Sequence, residues 1–244
     1  MSSILSMDIF DIARSLGAEP LRATPLSVCN WLLSEYASRK GGQFNYNPAI
    51  ETTFDAFRGG HSLESAVLAC RTRGNPMGWN ANASAIEAIM PYVLENISVC
   101  HRIGLTAVAI GRFSGKTVYA RVKAPLLRVK DGQAFVVLPG FRRAHRPHEA
   151  EIDFACSFGL EVLAQGDNAK ADFEYLYAGP GLGQGRHFQA IHGCDRRRFS
   201  SVEIDSILDV FVNGVFMAQR AGANAESPVH RGYRIIDPNA PSFI

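Results

Sequence analysis

The chain has 244 residues, of which 47% are hydrophobic and 20% are charged, and its formal net charge is +2. This length and apolar content suffice for one large domain or two small ones around an ordinary core. No apolar run reaches the roughly 18–20 residues that a membrane-spanning helix needs, so we expect no membrane partner. The five cysteines are odd in number and widely spread, which favours reduced, mostly buried thiols in a cytoplasmic protein.

Charge is distributed unevenly along the chain. Residues 101–148, which we call the basic segment, contain ten Lys or Arg residues and a single acid, Asp131. The following stretch reverses this pattern, with seven acids from Glu149 to Glu174 and a single lysine, Lys170. A basic segment within a nearly neutral chain indicates a surface for a polyanion or an anionic ligand.

The first hundred residues are predicted to be mainly helical. Residues 1–17 mix apolar and charged positions in the manner of an amphipathic helix. Further helices are predicted where a capping residue, in two cases followed by proline, precedes a run of apolar residues at helical spacing. These start signals lie at Thr24-Pro25, Asn47-Pro48, Ser62 and the capping-box pattern of Ser84 with Glu87.

The pattern changes to strands at about residue 100. Residues 105–111 are apolar on both faces, and residues 116–123 alternate cleanly, which places Tyr119, Arg121 and Lys123 on one face. Arg128 and Lys130 share a side of the next run. We therefore expect the four basic side chains of these two runs to be exposed. Further strands are predicted at residues 134–138, 173–177 and 187–192.

Two helices complete the pattern. Residues 147–165 form a segment that is apolar almost all round, which predicts a deeply packed helix, and Ser200 with Glu203 opens another helix with a capping box. The chain from residue 221 onward is predicted to run over the surface. The order of elements predicts an α/β (or α+β) fold, with a mixed β-sheet and an antiparallel meander flanked by helices. We expect a helical N-terminal part (1–98) and a sheet with helices (99–244) in one continuous domain.

The sequence contains no complete catalytic motif, so it leaves open whether the protein is an enzyme. The glycine string at 179–185 lacks the third glycine of a dinucleotide fingerprint and precedes a strand, which favours a hairpin loop. His145 and His148 are three residues apart but lack the four-ligand spacing of a structural zinc site. We therefore predict no metal and no cofactor.

The basic residues are the best candidates for a site. One strand face that carries Tyr119, Arg121 and Lys123 can follow phosphates and stack a base. The arginines from Arg142 to Arg146 lie where a strand leads into a helix, whose N-terminal end is positive. Alternatively, these charges solvate an edge strand or pair with the acids of 149–174. The candidate residues for anion or nucleic-acid binding are Tyr119, Arg121, Lys123, Arg128, Lys130, Arg142, Arg143 and Arg146.

From Ser84 to Tyr177 the order helix, three-strand meander, buried helix, strand resembles the core of the PD-(D/E)XK nuclease superfamily. The resemblance implies an acid near the second strand and D/E-x-K on the third, which hold magnesium and activate water. At these positions the chain has Val122-Lys123-Ala124-Pro125 and Leu138-Pro139-Gly140, so the catalytic motif is absent. Only Glu87 or Glu95 matches the family's helix acid. The resemblance therefore implies a degenerate member that lost metal chemistry and kept nucleic-acid binding.

Three functional hypotheses follow from the sequence. The leading one is a non-catalytic nucleic-acid-binding or degenerate nuclease-like accessory protein. The second is an enzyme that acts on a small anionic substrate, with Arg142, Arg143 or Arg146 as the clamp. The third is a homo-oligomeric interaction protein, in which the basic segment contacts the acidic segment of another subunit.

Overall fold

The computed structural model describes residues 3–36, 45–142, 145–181, 185–230 and 232–238. In these residues a mixed sheet of seven strands has helices packed on both faces. The α/β class, the mixed sheet with its antiparallel meander and the helical N-terminal part are confirmed.

The short strand β1 and five α-helices precede three consecutive strands, and the two remaining α-helices stand between the later strands. The strands are β1 (Ser6–Asp8), β2 (Val99–Phe113), β3 (Lys116–Lys130), β4 (Gln133–Gly140), β5 (Asp172–Pro180), β6 (Arg186–His192) and β7 (Tyr233–Ile236). The α-helices are α1 (Ile9–Leu16), α2 (Pro25–Trp31), α3 (Asn47–Phe57), α4 (Leu63–Thr72), α5 (Trp79–Glu95), α6 (Glu149–Leu163) and α7 (Ser201–Arg220). Helix α2 continues as a wider π-helical turn to Tyr36.

Three of the α-helices begin at capping residues that the sequence indicates. Thr24 caps α2, Ser62 caps α4, and Ser200 with Glu203 forms the capping box of α7. The prediction that a helix starts at Ser84 is wrong, because α5 begins upstream at Trp79. A short 3-10 turn of residues 76–78 leads directly into α5, and the Ser84 hydroxyl donates to a carbonyl within the helix instead.

The start of the chain also differs from the prediction. A single amphipathic helix was expected over residues 1–17, but Ser6–Asp8 forms β1, which pairs in parallel with β3. Helix α1 begins only after Asp8, whose carboxylate caps it by accepting a hydrogen bond from the Phe10 amide at 3.1 Å. Long-range strand pairing therefore outweighs helical periodicity in this segment.

Strand β3 organises the sheet. It pairs antiparallel with β2 along nearly its whole length. On its other side, the first half of β3 pairs in parallel with β1 and the second half pairs antiparallel with β4. Strands β1 and β4 therefore point towards each other, and their carboxyl ends meet beside the middle of β3. Ligands of open α/β sheets commonly bind in the crevice beside the carboxyl ends of strands, at the point where the order of the strands reverses.

The sheet separates two apolar cores. Helices α1, α2, α6 and α7 cover one face together with Val118, Ala120 and Val122 of β3. Helices α3, α4 and α5 cover the other face, where the core includes Leu126 but no residue from the first half of β3. On this second face the outward side chains of the first half of β3 remain half-buried. They are Thr117, Tyr119, Arg121 and Lys123.

The chain after α7 runs over the surface as predicted and adds a short strand. Residues 224–226 follow the beginning of the chain, since the Ile4 amide donates to the Asn224 carbonyl at 2.9 Å. Strand β7 then pairs in parallel with β2. We call residues 221–230 and 232–238 the C-terminal segment.

Two expectations from composition can be compared with the structure. All five cysteines are free thiols, and Cys29, Cys70 and Cys156 are buried as expected. Cys100 is half-buried, and Cys194 is exposed. Among the helices of the described ranges, none is long and apolar enough to cross a membrane.

Candidate functional site

The basic segment does not form one continuous basic surface, because acids from distant parts of the chain pair with many of its cations. Arg128 pairs with Glu174, and Arg142 pairs with Asp11. Further ion pairs join Lys123 to Asp8, Arg102 to Asp55, and Arg112 to Asp237.

The predicted exposure of Arg128 is wrong, since its side chain is only 2% exposed. Its Nε and Nη2 atoms donate to the two carboxylate oxygens of Glu174 at 2.8 and 2.6 Å. The guanidinium also lies 5.1 Å from the ring centres of Phe57 and Phe135, and the Tyr92 hydroxyl donates to the same carboxylate. Arg128 is therefore part of the core between the sheet and α3–α5.

A change of phase in β3 places Arg128 on the same face of the sheet as Arg121, and α3–α5 bury that face along the second half of β3. Its even-numbered residues up to Ala124 face the α1, α2, α6 and α7 core, but afterwards Leu127 faces that core and Leu126 faces the opposite one. The change lies opposite Gly104 of β2, whose φ of +86° is a conformation that favours glycine. The alternation of side chains along β3 is therefore interrupted between Arg121 and Arg128, so the direction of one side chain does not predict that of the other.

The other candidates do not all lie together. Lys130 donates to the amide oxygen of Asn96 at 2.6 Å, a contact that leaves its charge uncompensated. Arg146 is exposed in the stretch before α6, and Arg143 lies outside the described residues. Among the described candidates, a common site is therefore formed by residues of the first half of β3 together with Arg142.

This site, which we call the charged cluster, lies where β1 and β4 converge. It consists of Asp8, Asp11, Arg121, Lys123 and Arg142. Lys123 Nζ is 3.6 Å from a carboxylate oxygen of Asp8, and Arg142 Nη2 donates to Asp11 at 2.6 Å. The two acids are thus each held by a cation, and one more positive than negative charge remains.

The pKa values around the charged cluster reflect burial and these pairings. The pKa of the Tyr36 hydroxyl is raised, mainly by burial and next by the negative charge of Asp11. Burial lowers the pKa of Arg142, but hydrogen bonding and attraction to Asp11 outweigh this effect and raise it overall. Arg142 therefore stays charged and engaged with its acid.

Arg121 is the member of the charged cluster that lacks an acid partner in the described residues. It is the β3 neighbour of Asp8, but its Nε atom is buried without a hydrogen-bond partner. Its guanidinium carbon lies 5.9 Å from the ring centre of Tyr233. The adjacent outward side chain, Tyr119, packs edge-on against His230 with ring centres 4.5 Å apart.

A groove of about 610 Å³ adjoins these rings, between the start of β3 and the C-terminal segment. Lys116, Tyr119 and His230 are among the residues that line it. Lys116 Nζ donates to the Ala225 carbonyl at 2.9 Å and meets no acid in the part of the chain that the structure describes. We call this region the basic-aromatic groove. Lys116, Tyr119 and His230 line it, and Arg121 and Tyr233 lie beside Tyr119 and His230.

Several acids of the acidic stretch form ion pairs within the chain. Arg196 contacts Asp153 at 2.7 Å and Glu149 at 3.3 Å, while Arg198 contacts Asp172 at 2.5 Å. With Glu174 held by Arg128, four of the seven acids from Glu149 to Glu174 pair with arginines of the same chain.

Several residues of the site were not found from the sequence. Asp8 and Asp11 stand more than a hundred residues before the cations they hold, and no local pattern connects them. His230 and Tyr233 lie in a stretch without periodicity. In the described ranges, no group of three or more His, Cys, Asp or Glu residues could hold a metal ion. No protein-family model matches the chain, and comparison with curated proteins gives no match.

Proposed function

We propose that the protein binds single-stranded nucleic acid along the basic-aromatic groove, without cleaving it. The observation that carries this proposal is Arg121, a cation with no acid partner in the described residues, beside a groove lined by Lys116 and Tyr119. Cations that track the backbone and aromatic rings that stack bases are the usual components of single-strand sites.

The charge pattern supports this location over the rest of the basic segment. A cation that already pairs with a carboxylate gains less from a phosphate, because the carboxylate must be displaced. Arg128 and Arg142 are paired in this way, whereas Arg121 and Lys116 are not. With two phosphate contacts, we expect log K to fall with log salt at a slope of about −1.4.

The arrangement favours binding over cleavage. The two acids of the charged cluster, Asp8 and Asp11, are each engaged by a cation, so neither carboxylate is left to hold magnesium. The arginine clamp of the alternative enzyme hypothesis is likewise occupied, because Asp11 accepts from both Nη atoms of Arg142.

Fluorescence anisotropy with labelled twelve-nucleotide single-stranded DNA and RNA, over a series of salt concentrations, tests the proposal. The variant Lys116→Glu with Arg121→Glu should bind at least about tenfold more weakly than the wild type. The matched control is Arg71→Glu with Arg73→Glu, which makes the same charge change at exposed positions on the α4 side. No binding at low salt, or equal weakening by both double variants, would overturn the proposal.

A further inference from the structure

Three buried polar atoms without a hydrogen-bond partner lie close to the basic-aromatic groove. They are Ser6 Oγ, Arg121 Nε and His230 Nε2. They are three of the eight such atoms in the described residues. Buried polar atoms in folded proteins nearly always have a partner, and a group of three that lack one indicates a place for a ligand.

Strand pairing explains why these atoms converge. Ser6 of β1 is the Cα partner of Tyr119, so both side chains point to the same face of the sheet. Arg121 lies two residues further along β3 and faces the same way. The ring of His230 comes from the C-terminal segment and packs on Tyr119 at 4.5 Å. Two strands and one surface segment thus surround Tyr119 with three polar groups.

The chemistry of these groups matches an oxyanion. Arginine Nε–H can only donate, a serine hydroxyl can donate, and histidine Nε2 donates when the ring is protonated. A ligand cation would be repelled by Arg121, whereas phosphate oxygens accept from all three groups with charge-assisted hydrogen bonds.

We propose that Ser6, Arg121 and His230 form a seat for one phosphate group, and that His230 takes up a proton when the phosphate binds. The inference rests on the proposed function, because it assigns the contact that a phosphate of the nucleic-acid strand makes. It adds a pH dependence and a hydroxyl contact that nucleic-acid binding by itself does not require.

The surroundings of His230 determine the direction of the pH effect. The charged and titratable groups that face it are Tyr119, Arg121 and Lys116 from β3 and Tyr233 from β7, with no acid in the described residues. Burial lowers the pKa of His230, and the positive charge of Arg121 adds to this effect. A bound phosphate compensates that charge and raises the pKa of the ring. Affinity is therefore highest at pH values below the free-state pKa and falls as pH rises through the bound-state pKa.

Titration calorimetry of the full chain with a single-stranded oligonucleotide, in two buffers of different ionisation enthalpy at pH 6, 7 and 8, measures this uptake directly. A phosphodiester does not titrate in this range, so any proton taken up belongs to the protein. We expect up to one proton bound and an affinity loss of about tenfold from pH 6 to 8, the equivalent of a pKa change of about one unit. His230→Gln should take up no proton, while His101→Gln, at an exposed position on β2, should behave as the wild type.

Ser6→Ala separates a ligand contact from a structural role. Because Ser6 Oγ has no partner, its removal should leave the urea midpoint unchanged or slightly higher. Binding of the oligonucleotide should nevertheless weaken several-fold, by about the value of one hydrogen bond to a charged group. A loss of stability without a loss of binding would count against the seat.

The outcomes distinguish the two proposals. If the oligonucleotide binds without proton uptake, or if His230→Gln keeps the uptake, the seat is overturned and nucleic-acid binding stands. If the oligonucleotide does not bind but dimethyl phosphate binds with uptake that depends on His230, the seat stands for a small phosphate ligand and nucleic-acid binding falls. If neither probe binds, both proposals are overturned.

Discussion

Strand β3 carries two arginines, seven residues apart, that meet opposite environments. Arg128 is enclosed by aromatic rings and by a carboxylate that is itself 0% exposed. Arg121 is half-buried on the same strand, yet the described residues provide it with no acid and leave its Nε atom unpaired. The difference separates a cation that is paired within the core from one that has no acid partner in the described residues, although both belong to one basic segment.

The Arg128 network shows how a buried arginine is neutralised by a carboxylate, although its Nη1 atom, like Arg121 Nε, is buried without a hydrogen-bond partner. Glu174 from β5 supplies both carboxylate oxygens, and Tyr92 from α5 donates to the same group. The pKa of Tyr92 is raised, mainly by burial and next by the negative charge of Glu174. A buried ion pair of this kind need not add net stability over an apolar pair, but it makes the packing of α5 on the sheet specific.

The largest expected effect comes from breaking this network. Glu174→Ala leaves the Arg128 charge buried and unpaired, so we expect a loss of about 3–5 kcal/mol in the free energy of unfolding. Urea denaturation followed by circular dichroism measures it. A double variant with Arg128→Leu and Glu174→Leu should recover most of the loss, because it removes both charges together. A cost below about 1 kcal/mol for Glu174→Ala would mean that water reaches Arg128.

An intermediate effect is expected at the charged cluster. Asp11 is buried but its partner Arg142 is 41% exposed, so solvent screens the remaining charge when the pair is broken. We expect Asp11→Asn to cost about 1–2 kcal/mol in the same urea measurement. If Asp11→Asn lowered the free energy of unfolding as much as Glu174→Ala does, the Asp11–Arg142 pair would be as shielded from solvent as the Arg128–Glu174 pair.

At Arg121 the contrast with Arg128 becomes sharpest. Since Arg121 makes neither an ion pair nor a hydrogen bond in the described residues, Arg121→Gln should change the free energy of unfolding by less than about 0.5 kcal/mol. The same substitution should weaken oligonucleotide binding, which anisotropy measures. A stability loss comparable to that of the Asp11 variant would show that Arg121 serves the fold after all.

Part of this structure can be predicted from the sequence. The capping box of α7, the buried helix α6 and the meander depend on signals within a few residues, and these were correctly predicted. Alternation also placed Tyr119, Arg121 and Lys123 on one face, as the structure has them. Local periodicity is sufficient to predict which side chains are buried where an element has a single apolar face.

The remainder depends on contacts that no local pattern encodes. The phase change opposite Gly104 places Arg128 on the face that α3–α5 cover, although the strand pattern around it is regular. The partners Asp11 and Glu174 are 131 and 46 residues from their arginines. The apolar faces of α1 and α2 likewise do not reveal that they pack on the opposite side of the sheet from α3–α5.

The smallest effect that we predict concerns His230 in the free protein. Its pKa in the folded state is lowered by burial and by Arg121, while the unfolded chain has the ordinary value of about 6.5. As pH falls below that value, the unfolded chain binds the proton first, so folding stability decreases until pH passes the folded-state pKa. Urea midpoints from pH 8 to 5 should therefore fall slightly more for the wild type than for His230→Gln, with His101→Gln as the control. A saturating oligonucleotide should remove this difference, because the phosphate then stabilises the protonated ring that Arg121 alone disfavours.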